Sequence, residues 1–416
     1  MMAAVKHGLI VYLGTIINSF IMLAAKVFIQ SRLGTDVLGQ YELGLSLVLL
    51  ISVFAMFGFH VSIARAIAKE GRSAFPLVRK VFYWIVTICT VSIVISTPVI
   101  NAIYGSKVVP NFALYLSLLL LAVCLLNLNM AFFQGQQKMA WVSAIMALDA
   151  VARGTAVFLA IYLALKAESI LLAIGLFAIV FEIAVTARIL SGIGDGGEPT
   201  IKFRELSHLS FLIFLIAASS AISTRVSAFV IAYNLTFSEL GLFAIATLFT
   251  LPLSLLGRTI ETVLLPRASA QESFELRRFA VFAAVLAVVS VPVYYVMAGW
   301  AVPLLFGSGT DEAVSVLRIL AIGYSAILVY SIFSAFIFGR APKAFLSRIV
   351  ALTFVQSLIV VPVLNLYLVG LMGLEGAAWA TNIALVTQMG IWVVAGTILE
   401  RREAGPKGGL PVIREL

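Results

Sequence analysis

Long apolar segments recur along the whole chain and limit what it can fold into. A helix needs about 20 mostly apolar residues to cross a bilayer, and runs of this size are separated here only by short polar, Gly- or Pro-containing breaks. Only 11% of the residues are charged, against about 25% in an ordinary soluble domain. The sequence therefore predicts an all-α polytopic membrane protein of about 12 transmembrane helices, with spans near 9–29, 43–64, 81–104, 112–133, 140–165, 169–187, 209–233, 240–265, 280–305, 313–338, 349–368 and 375–398.

The distribution of Lys and Arg predicts how these helices are oriented. Cytoplasmic loops carry an excess of positive residues. Twenty of the 28 Lys and Arg residues fall in the termini and in one alternating set of connections, whereas the opposite set holds only Arg32, Lys107 and Lys166. Both termini are therefore expected in the cytoplasm, in a multi-pass protein of the cell membrane. No nucleic-acid partner is expected, because the cations do not cluster on one soluble surface.

An internal repeat divides the chain into two halves. A shift of 202 residues aligns Ile29–Ala68 with Ile231–Ala270 and gives 10 identities in 40 positions, including Gly39 with Gly241. Since an even number of spans separates the copies, the repeats are parallel, as in transporters with a cavity between two lobes. We expect two six-helix lobes, a linker and a tail: residues 1–190, 209–400, 191–208 and 401–416, with the linker and the tail cytoplasmic.

Short motifs follow one another along the chain in a specific order. They are Ser31–Tyr41 after the first span, Phe57–Gly58 in the second, Phe133–Lys138 between the fourth and fifth, and Asn365–Thr381 before the last. In this order they resemble the polysaccharide and O-antigen flippases of the multidrug/oligosaccharidyl-lipid/polysaccharide superfamily. The resemblance implies a two-lobed transporter that carries a lipid-linked oligosaccharide across the membrane by alternating access. We expect it to act as a monomer among membrane lipids, without a cofactor or metal, with H⁺ or Na⁺ as candidate coupling ions.

Two branches of that superfamily differ from this chain. The related lipid II flippases typically carry extra spans, which are absent from this sequence. Multidrug extruders often place an acidic residue in the first span, where this sequence has Asn18 and Lys26. Both departures favour the lipid-sugar branch.

Five cations remain inside the predicted spans and are the candidates for substrate binding. Charges within a bilayer are costly and tend to face a cavity or a partner. Arginine is always charged and binds phosphate oxygens through two donors, which suits an anionic lipid diphosphate. We therefore expect a substrate cavity to be lined by some or all of Arg225, Arg153, Arg258, Lys26 and Arg318.

Each of these cations also has a structural alternative. Arg153 is four residues from Asp149, so the two can pair on one helix face, and Arg258 stands three residues before Glu261, as a local pair or an inner gate. Arg225 can bond to the backbone or to an acid on another helix. Lys26 and Arg318 lie near the external surface, where their side chains can extend to the headgroups.

The acids within the spans are candidates for ion coupling or for ion pairs. They are Asp149, Glu261 and Glu182. Glu182 lies one or two turns from the cytoplasmic end of its span, where a paired or snorkelling carboxylate is the alternative. Cys89 and Cys124 lie in apolar runs without His or Cys at ligand spacing, so they are expected to be buried as small hydrophobic residues.

Two other functions remain as alternatives. A cation-coupled multidrug extruder of the same superfamily would use the intramembrane acids. A membrane glycosyltransferase or polymerase would need acidic residues in sizeable external loops. Here the external connections are short, no P-loop is present, and the acids expected in those connections are isolated: Asp36, Glu42, Glu168, Glu239, Asp311, Glu312 and Glu375.

Overall fold

The computed structural model consists of long helices, as the apolar segments predict. It describes residues 2–104, 108, 111–163, 165–192, 203–270 and 275–404, and no strand occurs within these ranges. The helices are α1 (Met2–Leu33), α2 (Thr35–Met56), α3 (Phe59–Glu70), α4 (Phe75–Tyr104), α5 (Phe112–Gly135), α6 (Met139–Tyr162), α7 (Ala167–Ser191), α8 (Phe203–Asn234), α9 (Phe237–Phe249), α10 (Leu251–Ala270), α11 (Leu276–Phe306), α12 (Asp311–Arg340), α13 (Lys343–Val355) and α14 (Val361–Ala404). A 3₁₀ turn, Gly71–Ala74, precedes α4, and a π-helical turn, Gln356–Val360, joins α13 to α14.

Helices long and apolar enough to cross a membrane make up most of the described chain. Nine segments meet that criterion there, or ten with the bent pair α9 and α10. One of the nine, Lys343–Arg402, has 60 residues, about three times the length that one crossing needs. It contains Gly373, whose φ of 58° is not helical. The protein is thus a multi-pass all-α membrane protein, while the count of twelve and the location of the termini stay predictions.

Two predicted spans are broken within the bilayer region. The second divides into α2 and α3 at Phe57 and Gly58, which both adopt left-handed φ angles of 44° and 74°. The eighth divides into α9 and α10 with a bend of 42°, where Pro252 lacks the backbone donor that would continue the helix. Apolar composition alone does not reveal such breaks, because the side chains on either side are equally hydrophobic.

Two predicted boundaries were wrong. Helix α2 begins at Thr35 instead of residue 43, because Gly34 with a φ of 87° ends the preceding turn and Asp36 stands in the first turn of the new helix, where an acid is favourable. Helix α8 begins at Phe203, inside the expected linker 191–208. Residues 193–202 of that linker and residues 405–416 of the expected tail lie outside the described residues.

The most buried helices occupy equivalent places in the two halves. Helix α5 of the N-terminal half packs against α7, α2 and α6, and α12 of the C-terminal half packs against α14, α11 and α10. Counted by the predicted spans, α5 is the fourth of its half and α12 the fourth of the other. This equivalence agrees with a parallel repeat, whose copies place corresponding helices in corresponding environments.

The two halves meet where α2 crosses α9, and the two glycines that the repeat aligns lie in that crossing. A Cβ atom on Gly39 would lie 1.8 Å from the Phe237 carbonyl oxygen, and one on Gly241 would lie 2.1 Å from the Thr35 carbonyl oxygen. The hydroxyls of Thr35 and Ser238 are hydrogen-bonded across the same crossing at 2.7 Å. Only glycine allows the backbones to approach this closely. By the charge distribution, this crossing lies at the external ends of both helices.

A second contact between the halves runs along α8. The Phe57 ring stacks on Phe214 with 4.7 Å between centroids, and Ser210 donates a hydrogen bond to Ser62 at 2.8 Å. A Cβ atom on Gly58 would lie 2.2 Å from the Ser210 carbonyl oxygen. Helix α8 therefore follows α2 and α3 from one end to the other and closes that side of the molecule.

The glycine crossing makes a direct prediction about stability. In Gly241→Ala, the new methyl group meets the Thr35 carbonyl oxygen, and we expect a cost of about 1–3 kcal/mol from overpacking, seen as a lower unfolding midpoint of the detergent-solubilised protein. Gly370→Ala is the matched control, because a Cβ atom there has no neighbour within 4 Å. Equal midpoints for the two variants would show that the crossing tolerates a side chain.

Candidate functional site

A cavity of about 770 Å³ lies between the two lobes and is lined by residues of α1, α2, α5, α6, α8, α9, α10, α12, α13 and α14. Its wall carries hydroxyl and amide groups as well as apolar side chains. Six charged residues line it, four of them cations: Lys26, Arg153, Arg225, Arg258, Glu42 and Glu261. Positive charge is therefore in excess along its described lining.

One carboxylate in this cavity binds cations from both lobes. The Glu42 side chain accepts a hydrogen bond from Lys26 Nζ at 2.6 Å through Oε2 and faces Arg225 Nη1 at 3.3 Å through Oε1. Lys26 belongs to α1 and Glu42 to α2, whereas Arg225 comes from α8 of the other lobe. The Arg225 side chain keeps 30% of its surface exposed, against 10% for Lys26 and 7% for Glu42. Arg225 is thus the member most available to a further anion.

Arg153 lies in the wall of the same cavity and is paired from behind. Its guanidinium donates to the Asp149 carboxylate one turn away on α6, as the i,i+4 spacing indicates. Both residues are buried, and the Arg153 Nε atom has no partner among the described residues. Asp149 lies outside the cavity lining, so only the cation of the pair borders the cavity.

Glu182 is buried inside the N-terminal lobe and does not reach the cavity. It is 0% exposed, and its Oε2 atom accepts a hydrogen bond from Asn129 Nδ2 at 2.7 Å. The Thr186 hydroxyl in turn donates to Asn129 Oδ1 at 3.1 Å. The carboxylate is therefore held by neutral groups rather than snorkelling to the surface.

Arg258 and Glu261 line the cavity from α10, toward its predicted cytoplasmic end. Glu261 accepts a hydrogen bond from the Ser334 hydroxyl of α12 at 2.7 Å. Arg258 lies three residues earlier on the same helix. The two side chains thus place one charge of each sign on the cavity wall, at a distance in sequence from the Glu42 group.

Arg318 does not line the cavity. Its guanidinium lies over the Tyr295 ring at 4.3 Å from the centroid, and its Nε donates to the Tyr295 carbonyl oxygen at 3.3 Å. These contacts join α12 to α11 outside the cavity lining. The expectation that Arg318 belongs to the substrate cavity is therefore wrong, because its helix turns this position toward α11.

The sequence analysis missed Glu42, which it placed in an external connection. The error followed from the late start assigned to the second span. The sequence Gly34-Thr35-Asp36 is a helix-start signal, and it places Glu42 two turns inside α2, where the residue is 6% exposed. That signal was available in the sequence, but the pairing of Glu42 with Arg225, 183 residues away, was not.

Comparisons with known proteins agree with this architecture. The family of polysaccharide biosynthesis proteins matches residues 4–271 by its sequence profile. The chain belongs to that family. No curated protein sequence matches it.

Solved structures of the superfamily share the fold over the whole chain. An inward-facing multidrug resistance MATE family transporter matches with a TM-score of 0.74 and 15% identity, over 94% of this chain and 96% of that chain. The lipid II flippase MurJ in an inward closed conformation matches with a TM-score of 0.71 and 14% identity, over 94% and 90%. An outward-facing MATE family transporter matches with a TM-score of 0.66 and 15% identity, over 97% of both chains. This member of the polysaccharide biosynthesis family therefore has the fold of the superfamily's transporters.

The buried group around Glu42 makes a testable prediction. Glu42→Ala leaves Lys26 and Arg225 without their shared acid, and we expect a loss of about 3–5 kcal/mol, as for other broken buried pairs. Glu275→Ala is the control, because its pair with Arg278 is largely exposed and contributes about 0–1 kcal/mol. The unfolding midpoints of the purified variants in detergent measure both effects. A Glu42→Ala midpoint as high as that of the control would contradict the pairing.

Proposed function

We propose that this protein is a flippase that moves a lipid-linked oligosaccharide of the polyprenyl-phosphate type across the cell membrane by alternating access, for the assembly of a cell-surface polysaccharide. The observation that carries the proposal is the cation-rich cavity between the lobes. A lipid diphosphate-sugar concentrates negative charge that must cross about 30 Å of hydrocarbon. A cavity with excess positive charge lowers the cost of that crossing.

The phosphates would bind at the cations around Glu42. Arg225 is the most exposed of them and holds Glu42 at 3.3 Å, longer than the 2.7–2.9 Å of a strong charge-assisted hydrogen bond. A diphosphate offers more acceptor oxygens and more charge than a carboxylate. It therefore competes with Glu42 for Arg225, with Lys26 and Arg153 on the same cavity wall.

This competition couples substrate binding to lobe movement. Glu42 links α1 and α2 of one lobe to α8 of the other, one turn from the Gly39 crossing. When the diphosphate takes Arg225 from Glu42, the ionic link between the lobes is lost while the substrate holds the cations. The lobes then separate at the external end, and the cavity opens to the other side of the membrane.

Hydroxyl and amide groups near these cations suit the sugar part of the substrate. Asn18 and Asn127 line the cavity in the N-terminal lobe, and Ser220, Thr224 and Gln388 line it in the C-terminal lobe. Sugar hydroxyls both donate and accept hydrogen bonds, as these side chains do. The proposed cavity thus combines a cationic part for phosphate with a neutral polar part for sugar.

A cation-coupled multidrug extruder is the second candidate, since MATE family transporters share the fold. The charge of the cavity argues against it, because an organic cation would meet four cations and only two acids among the described lining residues. Unchanged drug sensitivity on overexpression would agree with this argument. Efflux that depends on Asp149, Glu182 or Glu261 would favour the extruder.

Replacement of Arg225 tests the flippase proposal. We expect Arg225→Ala to lose a charge-assisted contact of about 1.5–3 kcal/mol, or roughly a 10- to 100-fold loss of substrate affinity. The measurement is the surface polysaccharide of a strain that lacks this gene and carries the variant, with the amount of protein in the membrane determined in parallel.

Arg318→Ala is the matched control, because it removes an intramembrane arginine that does not line the cavity. It should restore surface polysaccharide to the level of the parent protein. Full restoration by Arg225→Ala, at equal amounts in the membrane, would contradict the proposed phosphate site.

A further inference from the structure

The buried carboxyl of Glu182 has no part in the proposed phosphate site, yet it is incompletely bonded. Asn129 binds its Oε2 atom at 2.7 Å, while its Oε1 atom has no hydrogen-bond partner among the described residues. A fully buried carboxylate with one free oxygen is unfavourable in a low-dielectric interior. A proton on that oxygen removes the charge and the need for a counter-ion.

The groups that face Glu182 come from the two helices on which α7 packs, α5 and α6. Helix α5 contributes Asn129, and α6 contributes Arg153, the one cation whose charge acts on Glu182 in the described lobe. Arg153 is itself paired with Asp149. With Glu182 ionised, one guanidinium therefore serves two carboxylates. With Glu182 protonated, the charges of Arg153 and Asp149 cancel.

Two complementary atoms are left unsatisfied in this cluster. Arg153 Nε is a donor without a partner, and Glu182 Oε1 is an acceptor without a partner. The hydroxyls of Tyr41 and Tyr115 also act on Arg153 electrostatically, and the Tyr115 hydroxyl is buried without a partner. The guanidinium thus has a second acid available within the same lobe.

We propose that Glu182 is a proton-binding site that controls Arg153: protonated Glu182 leaves the guanidinium paired with Asp149 at the cavity wall, and ionised Glu182 draws it away toward α7. The proton adds to Oε1 when the carboxylate is released by Arg153, and it leaves to water when the guanidinium returns. No other covalent bond changes.

The surroundings of Glu182 suit a proton better than a metal ion. Sodium or a divalent cation would need several oxygen ligands, but Asn129 offers its amide nitrogen to Glu182 and its oxygen to Thr186. In the ranges that the structure describes, no three acidic, His or Cys side chains converge on one point. Arg153 also supplies a fixed positive charge beside the carboxyl, which disfavours a second cation.

This inference deepens the proposed function, on which its consequence for transport rests. Arg153 borders the cavity, so proton uptake by Glu182 places one more cation where the diphosphate binds. Loss of the proton withdraws that cation. Substrate affinity and proton binding are then linked, and each must change the other by the same factor.

Infrared difference spectroscopy of the purified protein between acidic and alkaline buffer tests the site without substrate. A protonated buried carboxyl gives a carbonyl stretch, and we expect Glu182→Gln to remove one such band entirely. Glu168→Gln, an acid in the first turn of the same helix, should retain it. Glu182→Asp provides a second variant, in which the band should shift in frequency. A band unchanged in both Glu182 variants would overturn the proposal.

Asp149→Asn tests the exchange of Arg153 between the two acids. Without Asp149, the guanidinium pairs with Glu182 alone, so Glu182 stays ionised and its band should disappear. Persistence of the band in Asp149→Asn would show that Arg153 does not move, and would overturn the control of the cavity by Glu182. Neither result bears on the phosphate site at Arg225, so this proposal and the flippase proposal can fail separately.

Discussion

The carboxylate of Glu42 is the charge on which the relation between the two lobes depends. A buried charge needs a partner in a membrane protein, and Glu42 has one from each lobe, Lys26 and Arg225. One turn away, the Gly39 and Gly241 backbones are in contact. The electrostatic and steric contacts thus reinforce each other at a single level of the membrane, at the end of the cavity that the loop charges assign to the external side.

This arrangement explains why a cavity with so many charges is stable before substrate binds. Arg153 is paired with Asp149, Glu261 is bonded to Ser334, and Glu42 serves two cations. Each charge has an internal partner that an anionic substrate can replace. The closeness of the lobe arrangement to inward-facing superfamily structures agrees with lobes held together at the external end. In this account, substrate binding and lobe separation are two results of one exchange of partners.

Much of this organisation was predictable from the sequence, and the rest was not for physical reasons. Apolar runs and loop charges predicted the class of fold, since a bilayer leaves few solutions for 416 residues of such composition. The Arg153 and Asp149 pair follows from helical spacing. The partner of Arg225 does not, because it lies on another helix. Arg318 was misplaced because hydrophobicity gives the depth of a residue but not the side of the helix on which it lies.

The separation of the lobes by an isoprenoid diphosphate tests the central claim most directly. Nitroxide labels at Ser31→Cys and Asn234→Cys, with Cys89 and Cys124 replaced by Ala, report the distance between the external ends of α1 and α8 by pulsed electron resonance in reconstituted membranes. Farnesyl diphosphate serves as the anionic probe. The account predicts that a longer distance appears when the probe is added, and that Arg225→Ala abolishes this response. An unchanged distance in the presence of bound probe would contradict it.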